Sequence, residues 1–122
     1  MVREFYELLN KYEGKNINGK PRAFVMFQNA FLRALDAFAA RVGGEVVEFS
    51  KGYGFVSAFI KCGDKYVYIY YGCVRGVINL SENVFEMYCR TAKDAKDYSG
   101  GNNHFVTLET LGNVVSRLLQ LP

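Results

Sequence analysis

A chain of 122 residues, half of them hydrophobic and 22% charged, has the profile of one folded domain over residues 1–122 and not of a disordered tail. With nine Tyr, ten Phe and no Trp, ring packing must dominate either the interior or a surface. A net charge of +3 argues against a dedicated polyanion binder and suits a single anionic ligand or an acidic protein surface.

Charged residues within Met1–Glu7 interrupt any apolar run that a secretion signal would need. No segment reaches the ~20 apolar residues of a membrane span. Cys62, Cys73 and Cys89 are odd in number and lack C-x-x-C spacing, which fits free thiols in a reducing compartment. A cytoplasmic protein without membrane contact is therefore expected, with no metal and no cofactor.

Phe5, Leu8, Leu9 and Tyr12 predict a short amphipathic helix over 3–13, ended by Gly14. Residues 14–22 form a polar loop with three positive charges. Phe24, Phe27, Phe31, Leu35, Phe38 and Val42 then place one stripe on a helix from about Pro21 to Val42, stopped by Gly43-Gly44. Strands follow at 45–50, 53–62 and 65–73, the last two joined by a Gly63-Asp64 hairpin turn. On residues 53–62, alternation sets Tyr53, Phe55, Ser57 and Phe59 against Val56, Ala58, Ile60 and Cys62. On the next strand it sets Tyr66, Tyr68 and Tyr70 against Val67, Ile69 and Tyr71. Residues 74–83 read as irregular, 84–89 as a fourth strand and 105–108 as a short fifth. Leu111, Val114, Val115, Leu118 and Leu119 close with an amphipathic helix. The expected fold is α+β: a four- or five-stranded antiparallel sheet packed by a long Phe-rich helix, with short N- and C-terminal helices.

Lys51-Gly52-Tyr53-Gly54-Phe55-Val56-Ser57-Ala58 resembles the aromatic signature of RNA-recognition motifs at every position but the last, where Ala58 replaces an aromatic. The resemblance implies a strand whose alternate rings stack under bases. That family places a helix after the signature strand, whereas residues 61–73 read as a hairpin and a second strand, so family membership is not assigned. Tyr53, Phe55, Tyr68 and Tyr70 remain candidate stacking residues on physical grounds. A covering helix would instead make that face core, and the apolar face left over makes a homodimer the expected assembly, because soluble monomers rarely expose a large aromatic patch.

The preferred ligand segment is Arg90–His104. Gly100-Gly101 can turn successive N–H groups toward an anion, Ser99, Asn102 and Asn103 add short donors, and Arg90, Lys93 and Lys96 add charge. With His104 these residues suit a phosphate-bearing nucleotide or short nucleic acid, diluted by Asp94 and Asp97. Catalysis finds little support. A Cys89–His104 nucleophile pair is set aside because Cys89 falls on a buried strand position. Glu45 and Glu48, by strand alternation, face opposite ways and cannot act as an acid/base pair. The alternative function is a protein-interaction module, such as a phage or mobile-element accessory protein that blocks a host defence protein in the manner of an anti-CRISPR.

Overall fold

The computed structural model describes residues 2–120. A single tight turn at Arg3–Phe5 runs into α1 (Tyr6–Tyr12), and together they turn Phe5, Leu8 and Tyr12 inward. Helix α2 (Pro21–Arg41) opens on a proline, whose missing N–H is harmless at the first helical position. Its stripe packs as the spacing predicts, with Phe24, Phe27, Phe31, Leu35 and Phe38 all buried. The end is a Schellman cap. Gly43 takes φ +83° and donates to the Ala40 carbonyl, while Gly44 donates to that of Ala39.

Five strands follow in a meander, each antiparallel to the next: β1 (Glu45–Gly52), β2 (Phe55–Cys62), β3 (Lys65–Gly72), β4 (Met87–Ala92) and β5 (His104–Phe105). The Gly63-Asp64 turn joins Cys62 to Lys65 in register. That register sets Val56, Ala58 and Ile60 opposite Tyr71, Ile69 and Val67 on one face, and Ser57 and Phe59 opposite Tyr70 and Tyr68 on the other. Helix α3 (Leu108–Gln120) ends the described chain.

Both long helices lie on the first of these faces, α2 across β1 and β2 and α3 against β3 and β4. Small and branched strand residues leave room for the helical phenylalanines. Tyr71 enters the same core with its ring 5.3 Å from that of Phe27, and its hydroxyl accepts the Asn79 N–H. The α+β arrangement of a five-stranded antiparallel sheet with one long helix thus stands.

Four details differ from expectation. Strand β2 starts at Phe55 because Tyr53-Gly54 form the β1–β2 turn. Strand β4 starts at Met87 and continues to Ala92, since Phe85 takes φ +66° and cannot extend the ladder. Val106 is buried beyond the two-residue β5, and α3 already begins at Leu108, where the Thr110 hydroxyl accepts the Thr107 N–H. In β1 a bulge inserts Val47 between the Val46–Ile60 and Glu48–Phe59 pairs. Glu45 and Glu48 therefore share a face, contrary to simple alternation. Charges and a bulge on this edge strand also discourage pairing with another sheet. Among the described residues, no helix is long and apolar enough to cross a membrane.

Candidate functional site

The second face of the sheet has no helix over it, and two different fates divide it. At one end the segment after β4 folds back as a cover. Tyr98 sets its ring edge-on to Phe59 at 5.1 Å and to Tyr68 at 5.6 Å, and both of those rings are buried. Arg90 holds this cover from beneath. It is 2% exposed, its guanidinium lies 4.7 Å over the Tyr68 ring, and it donates to the carbonyls of Asp97 and Thr91.

The anion that this segment binds is its own. The Asp97 carboxylate accepts the backbone N–H of Lys93 at 3.0 Å and of Gly100 at 2.9 Å. These bonds, led by that from Lys93, hold its carboxyl below the usual aspartate range, with the nearby Arg90 charge helping. The Lys96 N–H goes to the Asp94 side chain. Of the residues assigned to an anion site, Arg90 thus faces inward and Gly100 and Lys93 direct their N–H groups to Asp97. The side chains of Lys93, Lys96, Ser99, Asn102 and Asn103 lie in solvent, Gly101 is at φ +75°, and His104 sits in β5. The segment does not bring these groups to a common point.

At the other end the sheet stays open. Phe55, Tyr70, Tyr88 and Phe105, from four consecutive strands, make a half-exposed row of rings, extended by the largely exposed Phe85. Neighbouring rings touch: Phe55–Tyr70 at 6.0 Å and 11° between planes, Tyr70–Tyr88 at 5.1 Å and 22°, Tyr88–Phe105 at 5.8 Å, and Phe105–Phe85 edge-on at 4.9 Å. The row is tight because glycines make room for it. A Cβ on Gly52 would come within 2.6 Å of the Phe55 ring, and one on Gly72 within 2.8 Å of the Tyr70 hydroxyl.

This geometry bears on what the row can contact. These near-parallel rings are offset-stacked along the row, each facing its neighbour. Edges and phenol hydroxyls remain for a partner. Burial, with Tyr68 nearby, raises the Tyr70 and Tyr88 phenols above their ordinary range, so both stay protonated donors at neutral pH.

The signature-like segment is therefore a hairpin and not one strand: Lys51-Gly52 end β1, Tyr53-Gly54 turn, and Phe55 opens β2. Of the four candidate stacking residues, Phe55 and Tyr70 lie in the row. Tyr68 is under the cover, and Tyr53 is fully exposed at the turn. Sequence reading missed Tyr88, Phe105 and Phe85. Alternation with Met87 and Cys89 was a usable signal for Tyr88, and the short strand expected at 105–108 was one for Phe105, but the left-handed Phe85 had none.

Cys89 and His104 are register partners across β4 and β5. Burial pushes the Cys89 thiol up to about 12, so it is protonated at neutral pH and no nucleophile. Among the described residues, no three His, Cys, Asp or Glu side chains are placed to hold a metal ion. Compared with known proteins, the chain matches no family model, no curated protein and no solved structure.

Proposed function

We propose that this chain is a protein-binding module that grips a partner protein with the open end of its sheet. The observation that carries this reading is the row Phe55–Tyr70–Tyr88–Phe105, solvent-facing and packed ring to ring on a rigid sheet. Ring edges and phenol donors complement an apolar surface bearing carbonyl or carboxylate acceptors, and the net charge of +3 favours a partner with an acidic rim. The three free cysteines fit a reducing cytoplasm. Such a gripping surface fits an accessory protein that blocks a larger host protein.

Capture of a phosphate-bearing ligand at Arg90–His104 is the weaker reading, because Asp97 already takes the Lys93 and Gly100 N–H groups and Arg90 is turned inward. The test is affinity capture followed by titration of whatever partner is retained, using wild type and Tyr70→Ala/Tyr88→Ala, with circular dichroism to confirm folding. The double variant is expected to lose roughly 30-fold in affinity, about 2 kcal/mol. Lys93→Ala/Lys96→Ala is expected to stay within about threefold. Equal retention by the tyrosine variant would place the interface elsewhere, and light scattering of the wild type would reveal a second copy as the partner.

A further inference from the structure

Away from the aromatic row, a cleft of about 750 Å³ opens between the loop before α2, the first turns of α2, the β1–β2 turn and the segment after β3. That volume is in the range that holds small organic ligands. Phe24, Val25, Cys73 and Val74 supply apolar walls, Lys20 and Lys51 are the charged lining residues, and no carboxylate lines it.

The cleft has a fixed floor. Gln28 is 97% buried, as its 3% exposure shows, and its amide donates to the carbonyls of Gly52 at 2.8 Å and Phe55 at 2.6 Å. This ties the β1–β2 turn to α2. The Lys51 ammonium is held on the rim by the Asn29 side chain at 2.6 Å. The rim itself is costly in water: Tyr53 is fully exposed, Val74 is 81% exposed and Val25 is 47% exposed. These apolar groups, from three separate segments, surround one opening, and a ligand that entered would cover them together.

The geometry points to an amphipathic anion as the occupant: a small molecule with an apolar ring system or chain and one acidic head. The apolar body would lie against Phe24, Val25 and Val74 under Tyr53, and the head would meet Lys20 and Lys51. A neutral ligand would gain nothing from the charge of the two ammonium groups, and a cation would be repelled by them. The Cys73 thiol, which donates to the Val77 carbonyl, is raised by burial and so adds no negative charge to the wall.

The probe is 8-anilinonaphthalene-1-sulfonate, titrated into the whole chain and followed by fluorescence. One saturable site is expected. Lys20→Met/Lys51→Met should weaken binding by roughly tenfold, and added salt should weaken wild type more than this variant. Val74→Glu, at an exposed position that cannot disturb the core, should abolish it. Tyr70→Ala/Tyr88→Ala should leave it unchanged. Failure to saturate, or indifference to both the lysine and Val74 changes, would overturn the assignment. Loss confined to the Tyr70/Tyr88 variant would do the same, by placing the probe on the open sheet face.

Discussion

Glu86 lies inside the fold, and neither carboxylate oxygen has a hydrogen-bond donor. Arg75 Nε, 3.4 Å away on a mostly exposed side chain, offsets the charge only partly. Burial accordingly raises the Glu86 carboxyl above its usual 4.5, against the lowering influence of the Arg75 charge. The folded chain then holds this proton more tightly than the unfolded chain does. Its contribution to stability is greatest below pH 4.5 and is lost as pH rises through the raised value. Glu86→Gln removes that titration, so the melting temperature at pH 7 is expected to rise by several degrees, about 1 kcal/mol. A variant that melts at or below wild type at pH 7 would show that the carboxylate is not a burden. Asp97 has the opposite sign. Its lowered carboxyl contributes stability above pH 3.8, lost as pH falls through the depressed value. Asp97→Ala frees the Lys93 and Gly100 amides, and hydrogen exchange at both is expected to quicken while the core strands keep their protection. Unchanged exchange at these two amides would mean that Asp97 does not hold the cover.

Among the elements, α2 supplies the phenylalanines at the centre of the core. Phe27 touches Tyr12, Phe24, Phe31 and Tyr71 at ring separations between 5.3 and 5.8 Å, so it joins α1, α2 and β3. Truncation there removes buried ring area and leaves a cavity bounded by other rings that cannot all move in. Phe27→Ala is expected to cost about 3–5 kcal/mol by urea denaturation. Phe49→Ala, on the edge strand with its ring largely exposed, is expected to cost less than about 1 kcal/mol. Equal losses at the two positions would contradict the placement of the core. The sheet follows the same division. The face under the helices is closed by shape, whereas the other face is closed only where Arg90 and Tyr98 bring the cover across Phe59 and Tyr68.

Across the whole molecule, most elements were legible because each carries its own burial period. The α2 stripe from Phe24 to Phe38, the alternation of β2 and β3 from Phe55 onward, and the Gly63-Asp64 turn are local patterns that appear where spacing places them, whereas Val42 falls just past the helix end and Tyr53 in a turn. The site was less legible. Phe55 and Tyr70 could be named as rings on one face, but their availability depended on where two helices and a loop settled. The anion reading of Gly100-Gly101 failed to foresee that Asp97, three residues before Gly100, would reach its N–H. The shared face of Glu45 and Glu48 needed a bulge that pairing with β2 creates. Periodicity alone therefore determined which residues seek burial and in what order helices and strands occur, since these follow from contacts within a few residues. Only tertiary structure decided which sheet face the helices cover, where the cover stops, and which rings meet across four strands. Those outcomes depend on register and packing between segments distant in sequence, which no local period encodes.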